Sequence, residues 1–369
     1  KIGHIVDLTG VEAMTGEEAR RSFEFAVKSI GGRIGDRPIE IVLGDAQSQS
    51  SVATDLARKM IEQDGVVAIF GPTQIGHKTA VSEYIKEAGI PLIFYNGTPL
   101  GILKSNDWLI GGGGATPQMP TAMADYVYTE LGYRTVNVLS MDNTGYRSYL
   151  DPFIETFEAL GGTIVSQQWA PIPCADWSPY LATLQDADAI VSWASGSDAI
   201  SLWTAWYEMG VNKRMPIVAA MHGGFTDYFV PTALSKSNPD AKDAMLGALA
   251  PMMYAVDSKA EANQEFVDAW TEEFGAIPPG SNLPGACAQS IQLFKAAVEA
   301  TGGETDPNVL LEALLAADVT GPEGRLLFEG SHAATKDVHI VKVAELADGS
   351  FSYEYVKTYE AVPPTGLAH

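Results

Sequence analysis

A short apolar strand followed by a glycine-containing loop is the stretch of this sequence best suited to binding a small anion. Residues 66–70 form an apolar run too short for a helix, and Gly71-Pro72 ends it. A helical pattern follows, with apolar side chains at positions 80, 81, 84, 85 and 88. The first N–H groups of a helix have no partner inside the helix, so they can bind a carboxylate or carbonyl oxygen. The alternative interpretation is an ordinary strand-to-helix turn whose glycines serve only packing.

No group of residues in the sequence has the spacing of an enzyme site. The first strand–helix unit lacks the GxGxxG fingerprint, and the four glycines at 111–114 are consecutive. No P-loop, GxSxG or HExxH motif occurs, and nothing spaces Ser, His and Asp as a catalytic triad. Cys174 and Cys287 form neither a CxxC pair nor a zinc spacing, so we expect two separate buried or semi-buried thiols without a disulfide. We therefore expect no enzyme activity, no metal and no cofactor.

Strand and helix patterns alternate through most of the chain, which predicts an α/β fold with parallel, doubly wound sheets. Apolar runs predict strands at residues 1–7, 38–43, 66–70, 90–95, 135–140, 163–168, 187–194 and 216–220. Residues 258–274 and 284–301 have the pattern of long helices. Alternation on both sides of Asp348-Gly349 predicts a β-hairpin near the end.

Two changes in composition divide the chain into two lobes. The glycines at 111–114, followed by Pro117 and Pro120, indicate a crossover into a second lobe. A second crossover is expected near Ala250-Pro251. We assign the lobes as residues 1–117 plus 251–325 for lobe 1 and residues 118–250 plus 326–369 for lobe 2.

Length and charge exclude several classes of protein. A chain of 369 residues is long enough for two domains with their own cores. Its 46 acidic and 23 basic residues give a net charge of −23, which argues against binding to nucleic acid or to an anionic membrane surface. No apolar run approaches the length of a membrane span, so no membrane insertion is expected. No charged and apolar leader precedes Lys1, so we expect either a cytosolic protein or one whose signal peptide has been removed.

Short motifs spread over nearly the whole chain indicate a family. They are Asp7-Leu8-Thr9-Gly10, Asp45-Ala46-Gln47-Ser48, Phe70-Gly71-Pro72, Glu87-Ala88-Gly89-Ile90-Pro91, Asn96-Gly97-Thr98-Pro99, Met141-Asp142-Asn143 and Ala159-Leu160-Gly161-Gly162. In this order and spacing, the chain resembles the periplasmic solute-binding proteins of ABC transporters, in the leucine/isoleucine/valine-binding (type I) class. The resemblance implies two similar doubly wound lobes joined by three crossovers, with a ligand trapped between them by hinge closure. It also implies a monomeric periplasmic or extracytoplasmic protein, secreted with a removed signal peptide, that delivers its ligand to an ABC permease in the inner membrane.

The resemblance further implies where a ligand carboxylate is held. In the amino-acid-binding members, two loops of lobe 1 hold it with backbone and hydroxyl groups. The matching positions in this sequence are Gln74, Ile75, Gly76, His77, Asn96, Gly97 and Thr98. Thr98 matches the family hydroxyl, whereas Ile75 replaces the usual small hydroxyl residue. His77 could equally be a surface residue at the helix start.

The acids that hold an α-ammonium group in those members are missing here. The matching regions contain Thr116 and the pair Met221-His222. A buried ammonium group without a carboxylate partner is costly. We therefore expect a zwitterionic amino acid to be disfavoured, although Asp142 or Asp198 could still reach the ligand.

Aromatic side chains lie at strand ends and in loops instead. Tyr95 and Trp193 each end a predicted strand, and Tyr146 lies in the loop after another. Their rings could pack against a ligand ring, while His222 or Arg147 could donate a hydrogen bond or a charge. We predict an aromatic carboxylate ligand of the benzoate or cinnamate type, with a branched-chain amino acid or an amide as the alternative. Tyr95 and Trp193 could equally be core residues.

A ligand-sensing receptor module is the main competing function. The same two-lobe fold serves in repressors and membrane receptors. A repressor would carry a DNA-binding head before Lys1, and we do not expect one. A sensor that passes its signal to a partner protein stays open as an alternative to transport.

Overall fold

The structure is a computed structural model that describes residues 1–10, 12–227, 229–254, 256, 261–347, 349 and 351–368. Two compact units make up the fold. The first holds residues 1–116, 256–277 and 282–336, and the second holds residues 117–255, 278–281 and 337–369. The chain therefore passes between the units after residues 116, 255 and 336, and makes a short excursion at residues 278–281.

Strands and helices alternate along the chain as the sequence predicts. The strands are β1 (Ile2–Val6), β2 (Arg33–Ile34), β3 (Arg37–Pro38), β4 (Ile41–Asp45), β5 (Ile69–Phe70), β6 (Leu92–Phe94), β7 (Leu109–Gly111), β8 (Thr135–Met141), β9 (Thr163–Ala170), β10 (Ala189–Trp193), β11 (Ile217–Ala219), β12 (Leu249–Met252), β13 (Asp318–Gly321), β14 (Gly324–Leu327), β15 (Lys336–Glu345) and β16 (Phe351–Val362). The helices are α1 (Ala13–Ser29), α2 (Ser50–Lys59), α3 (Ile75–Ala88), α4 (Leu100–Leu103), α5 (Gln118–Thr129), α6 (Thr144–Ala159), α7 (Ser178–Leu181), α8 (Gly196–Glu208), α9 (Phe229–Ser237), α10 (Pro239–Met245), α11 (Glu261–Phe274), α12 (Leu283–Ala300) and α13 (Pro307–Ala316).

The first unit is built on a five-stranded parallel sheet in the order β4-β1-β5-β6-β7. Successive side chains of a strand point to opposite faces, so Ile69 and Leu92 lie in one core cluster, while Phe70 and Ile93 lie in the other. Both faces are covered by helices, which is why these strands are apolar without alternation. This arrangement confirms the predicted parallel sheet.

The second unit is built on a seven-stranded sheet in the order β16-β15-β12-β11-β10-β8-β9. Strands β8 to β12 are parallel, whereas β15 runs antiparallel to β12. Ile190 and Val191 of β10 again face different core clusters. The predicted α/β class is confirmed, with an antiparallel pair of strands added at one side of this sheet.

Some predicted elements differ from the structure. The strand predicted at residues 38–43 lies at Ile41–Asp45, because residues 33–38 form the small antiparallel pair β2–β3, with Gly35 between them at a φ of 56°. Strand β7 has only three residues and runs into the glycines, so its apolar pattern is too short to predict it. The predicted hairpin is present as the neighbouring strands β15 and β16, but Asp348 lies outside the described residues. The helix predicted from residue 258 is described from Glu261, because residues 258–260 are also outside them.

The boundaries of the two units differ from those of the predicted lobes. Residues 251–254 belong to the second unit, because β12 pairs with β11 and β15. Residues 326–336 belong to the first unit, because β14 pairs with β13 and Leu326 is buried in the core of that unit. Both reassignments follow strand pairing, which the apolar pattern of the sequence does not show.

The glycines at 111–114 serve a close approach between two backbone segments of the first unit. A Cβ atom on Gly113 would lie 2.4 Å from the carbonyl group of Tyr95 and 2.5 Å from Cα of Asn96. The N–H of Gly113 donates to Phe94 O at 2.9 Å, and the N–H of Thr98 donates to Gly114 O at 3.2 Å. The glycine run therefore packs against the 95–98 loop and hydrogen-bonds to it. The sequence predicted only that these glycines mark a crossover.

The two cysteines lie far apart in sequence and belong to different units. Cys174 and Cys287 are both free and buried, as predicted, and burial raises the pKa of the Cys287 thiol well above its usual range. Within the part of the chain that the structure describes, no helix combines the length and apolar character needed to cross a membrane.

Candidate functional site

Three loops of the first unit lie at one edge of its sheet. Strands β1, β5 and β6 are parallel neighbours, so the loops that follow them begin at the same edge, called here the first carboxyl edge. In open α/β sheets, ligands bind outside this edge. The predicted carboxylate residues follow β5 and β6: residues 74–77 lie at the start of α3, and residues 96–98 lie in the loop after β6.

The N-terminus of α3 has donors available for an anion. The helix begins at Ile75, and no side chain caps it, because Gln74 at the cap position makes no side-chain hydrogen bond to the helix. The first intrahelical bond of this turn runs from the N–H of Lys78 to Gln74 O at 2.9 Å. The N–H groups of Ile75, Gly76 and His77 therefore have no helical partner, and the helix dipole favours negative charge beside them.

His77 lies in the interior of this edge. Its side chain is buried, and its Nδ1 atom is 3.4 Å from Oδ2 of the fully buried Asp7. The other oxygen of Asp7 accepts a hydrogen bond of 2.8 Å from the N–H of Ser48. The interpretation of His77 as a surface residue is therefore wrong, because its side chain is buried beside Asp7 in the loop after β1.

The loop at residues 96–98 is held from behind by a buried lysine. Lys78 Nζ donates hydrogen bonds to Asn96 O at 3.2 Å, to Gly97 O at 2.9 Å and to Thr98 Oγ1 at 2.9 Å. The hydroxyl of Thr98 also donates to Asn96 O at 3.1 Å, and the side chain is fully buried. The predicted contact between the Thr98 hydroxyl and a ligand is thereby corrected: this hydroxyl belongs to an internal network.

Tyr95 is a core residue of the first unit. Its side chain is fully buried, and its hydroxyl forms a hydrogen bond of 3.2 Å with Nε2 of His4. Burial raises the pKa of this hydroxyl well above its usual range. The prediction that Tyr95 forms an aromatic wall is therefore corrected in favour of the alternative that it belongs to the core, because no part of its ring reaches the surface.

In the second unit, aromatic rings cluster where strands β8 and β10 end. The ring of Trp193, the last residue of β10, lies 4.4 Å from that of Tyr146 and 4.8 Å from that of Tyr149. Trp193 is half-buried and donates its indole N–H to Gly223 O at 2.8 Å. Its orientation is therefore fixed, while part of its ring surface stays accessible.

Tyr146 is positioned by the start of α6 and by Ser195. Asn143 caps this helix, with its side-chain oxygen accepting the N–H of Tyr146 at 3.0 Å. The Tyr146 hydroxyl forms a short hydrogen bond with the Ser195 hydroxyl, which precedes α8. The loops after β8, β10 and β11 supply Asn143, Ser195 and Gly223. These loops lie at one edge of the sheet, called here the second carboxyl edge, and they position the aromatic cluster Tyr146, Tyr149 and Trp193.

His222 does not carry a charge at neutral pH. It is buried, its Nδ1 atom lies 3.1 Å from Pro251 O, and the backbone of Gly280 also hydrogen-bonds it. Burial lowers the pKa of His222 to about 4, which outweighs both hydrogen bonds. The predicted role of His222 as a charged or hydrogen-bonding ligand contact is therefore corrected to a structural one.

The remaining charged candidates already have partners within the second unit. Arg147 Nε donates to Asp142 Oδ1 at 2.9 Å, and its guanidinium lies 4.0 Å from the ring centroid of Trp169. Asp198 is buried and accepts the N–H of Cys174 at 3.1 Å. Neither acid is thus positioned as a free partner for a ligand ammonium group. In the described part of the chain, no three His, Cys, Asp or Glu side chains are grouped to hold a metal ion.

Sequence reasoning missed Lys78, Asp7, Tyr149 and Ser195. Lys78 carries a usable signal, because it shares the buried face of α3 with Val81 and Ile85 at helical spacing. A charged residue on an apolar stripe is unusual. Asp7 belongs to the motif Asp7-Leu8-Thr9-Gly10, but nothing in the sequence places it beside His77. Tyr149 and Ser195 have no such signal, because only the packing of their elements brings them to the second sheet edge.

Comparison with known proteins decides the family. A family model described as periplasmic binding protein matches residues 1–350. The chain belongs to the periplasmic binding protein family. It is also similar to Leu/Ile/Val-binding protein homolog 6 of Brucella melitensis biotype 1, at 22% identity over 375 residues covering 100% of this chain and 93% of that protein.

Solved structures agree with this family. An ABC transporter substrate-binding protein from Sphaerobacter thermophilus is similar at a TM-score of 0.88 and 27% identity, over 98% of both chains. A solute-binding protein of an ABC transporter from R. palustris, in complex with 4-hydroxybenzoate, has a TM-score of 0.85 at 22% identity, covering 99% of this chain and 98% of its own. The predicted membership of the leucine/isoleucine/valine-binding (type I) class is confirmed. Proteins of this family are extracytoplasmic and bind solutes rather than act as enzymes.

Proposed function

We propose that this periplasmic binding protein is the solute-binding component of an ABC importer and that its ligand is an aromatic carboxylate of the benzoate or cinnamate type. The observation that carries the aromatic preference is the half-buried ring of Trp193, fixed beside Tyr146 and Tyr149 at the second carboxyl edge. Tyr146 and Tyr149 are buried, so Trp193 is the partly exposed member of this cluster. Aromatic rings prefer offset or edge contacts with other rings.

The carboxylate preference rests on the start of α3. The N–H groups of Ile75, Gly76 and His77 have no helical partner, and Gly76 is exposed. We propose that these donors, with Gln74 and the loop residues Asn96 and Gly97, bind the ligand carboxylate.

The disfavoured ligand is a zwitterionic amino acid. The family resemblance implies that Thr116 and the pair Met221-His222 lie where amino-acid-binding members place acids, and both Asp142 and Asp198 have partners within the second unit. An α-ammonium group would lose its water without gaining a carboxylate partner. The Brucella relative is named a Leu/Ile/Val-binding protein homolog, so a branched-chain amino acid is the competing outcome of the test.

A competition titration tests the ligand class. We expect benzoate or cinnamate derivatives to bind and leucine, isoleucine and valine to bind far more weakly. Trp193→Ala should raise Kd for the aromatic acid by about tenfold or more, equivalent to about 1.4 kcal/mol. Trp108→Ala is the matched control, because Trp108 is also half-buried but lies at the opposite end of the first sheet, before β7. Tight leucine binding without binding of aromatic acids would refute the proposed ligand.

The family resemblance further implies that the two lobes close on the ligand, with an ABC permease as the partner that receives it. We expect the radius of gyration from small-angle scattering to decrease when a saturating aromatic acid is added. The Trp193→Ala variant at a ligand concentration below its own Kd serves as the control. An unchanged radius in the saturated wild-type protein would argue against closure.

A further inference from the structure

Lys78 is a fully buried lysine whose three ammonium donors are all used within one loop. It lies in the first turn of α3, and its acceptors are Asn96 O, Gly97 O and Thr98 Oγ1. A lysine ammonium has three N–H donors, so none is left for another partner. The ring of Phe94, with its centroid 5.1 Å from Nζ, closes the site on another side.

No carboxylate forms an ion pair with Lys78 among the described residues. Lys336, which is also buried, differs because it pairs directly with Glu323. Burial lowers the pKa of Lys78 well below its usual range, and no acid of the described chain pairs with it to oppose this effect. The charged form of Lys78 is therefore favoured only when an anion lies nearby. Isolated buried charges are costly, so the absence of a counter-charge requires an explanation.

The hydrogen bonds of Lys78 set the orientation of two peptide groups. In a trans peptide the C=O and N–H bonds point in opposite directions. Since the carbonyls of Asn96 and Gly97 point toward Lys78, the N–H groups of Gly97 and Thr98 point away from it. The Thr98 N–H donates to Gly114 O. No acceptor is seen within the described chain for the Gly97 N–H, which makes it available beyond the loop.

We propose that Lys78 is a positioning residue that aims the 96–98 loop at the ligand and supplies the positive charge that selects an anionic ligand over its neutral isostere. This inference rests on the proposed carboxylate site. The bound carboxylate supplies the counter-charge that Lys78 lacks, and an amide of the same shape does not. Lys78 therefore acts from behind the loop, without touching the ligand.

The test compares benzoate with benzamide, which has the same ring and a neutral head group. In the wild-type protein, we expect benzoate to bind at least about 100-fold more tightly than benzamide. Lys78→Met removes the charge and the loop contacts, and should weaken benzoate at least about tenfold more than benzamide. Lys78→Gln keeps donors for the loop carbonyls but removes the charge, so it should weaken benzoate while leaving benzamide within about threefold. Lys86→Met, at an exposed position of the same helix, is the control and should change neither.

The outcomes separate this inference from the proposed function. If wild-type protein binds neither probe, the proposed ligand class fails and the inference fails with it. If benzoate binds but both variants weaken the two probes equally, or weaken neither, Lys78 has only a structural role and the inference alone is overturned. Thermal unfolding identifies a variant that does not fold. In that case the ratio of the wild-type Kd values for benzamide and benzoate decides. A Kd for benzamide within threefold of that for benzoate would contradict selection by charge.

Discussion

Lowering the pH from 6.5 to 4 is expected to remove several kcal/mol of folding stability through two buried histidines. His4 stacks on Phe23 at 4.0 Å between ring centroids, and its pKa is lowered to about 3, first by burial and then by the charge of Arg20. Burial likewise lowers the pKa of His222 to about 4. His4 is therefore neutral in the folded protein over this range of pH, and His222 is neutral until the pH approaches 4.

The unfolding free energy falls at low pH because the unfolded chain binds more protons than the folded protein. Unfolded histidine titrates near pH 6.5, so below this pH the unfolded chain binds protons that the folded chain excludes. The stability is thus fully present above pH 6.5 and is lost as the pH falls toward the folded pKa values. Each histidine contributes up to about 1.4 kcal/mol per pH unit, or about 5–6 kcal/mol for the pair between pH 6.5 and 4.

Urea unfolding at a series of pH values between 4 and 7.5 measures this loss. His4→Phe and His222→Gln should each reduce the slope of unfolding free energy against pH by about 1.4 kcal/mol per unit, whatever their effect on stability at neutral pH. A slope that stays the same in His222→Gln would show that this ring does not exclude a proton in the folded state.

Breaking the buried ion pair between Glu323 and Lys336 is expected to cost about 3–5 kcal/mol of stability. Both side chains are almost fully buried in the first unit, and the N–H of Glu323 donates to Gln289 Oε1 at 3.3 Å. Burial raises the pKa of Glu323, while the charge of Lys336 and its hydrogen bond oppose the rise. Removing one partner leaves the other as an uncompensated buried charge.

A double-mutant cycle measures this effect. Glu323→Leu and Lys336→Met should each lower the unfolding free energy strongly, whereas the double variant should recover most of the loss, because it leaves no isolated charge. Asp318→Asn is the control for a surface pair, since Asp318 and Arg325 are both exposed, and we expect little change. Additive losses in the double variant would contradict the cost of an isolated charge.

Lys336 also has a topological role. It is the last residue of the first unit and the first residue of β15, which joins the sheet of the second unit. The ion pair therefore fixes the point at which the chain leaves the first unit. The sequence shows two charged residues 13 positions apart in this region, and nothing in their spacing indicates that both are buried.

The amino-acid sequence by itself determined the α/β class and most of the parallel strands. Runs such as residues 187–194 are apolar without alternation because helices cover both faces of their sheets, so a local pattern carries the information. Of the predicted strand at residues 66–70, only Ile69–Phe70 form a strand. It did not determine short strands such as β7, nor the unit to which residues 326–336 belong, because strand pairing between distant segments decides both.

The two carboxyl edges were predicted in outline, since loops after parallel strands meet at one edge whatever their residues. Only the tertiary structure decided which side chains face outward there. Trp193 keeps an accessible ring, whereas Tyr95, Thr98 and His222 turn inward to His4, Lys78 and Pro251. Each inward-facing side chain has a hydrogen-bond partner on another segment of the chain. Whether such a partner lies within hydrogen-bond distance depends on how elements far apart in the sequence pack together.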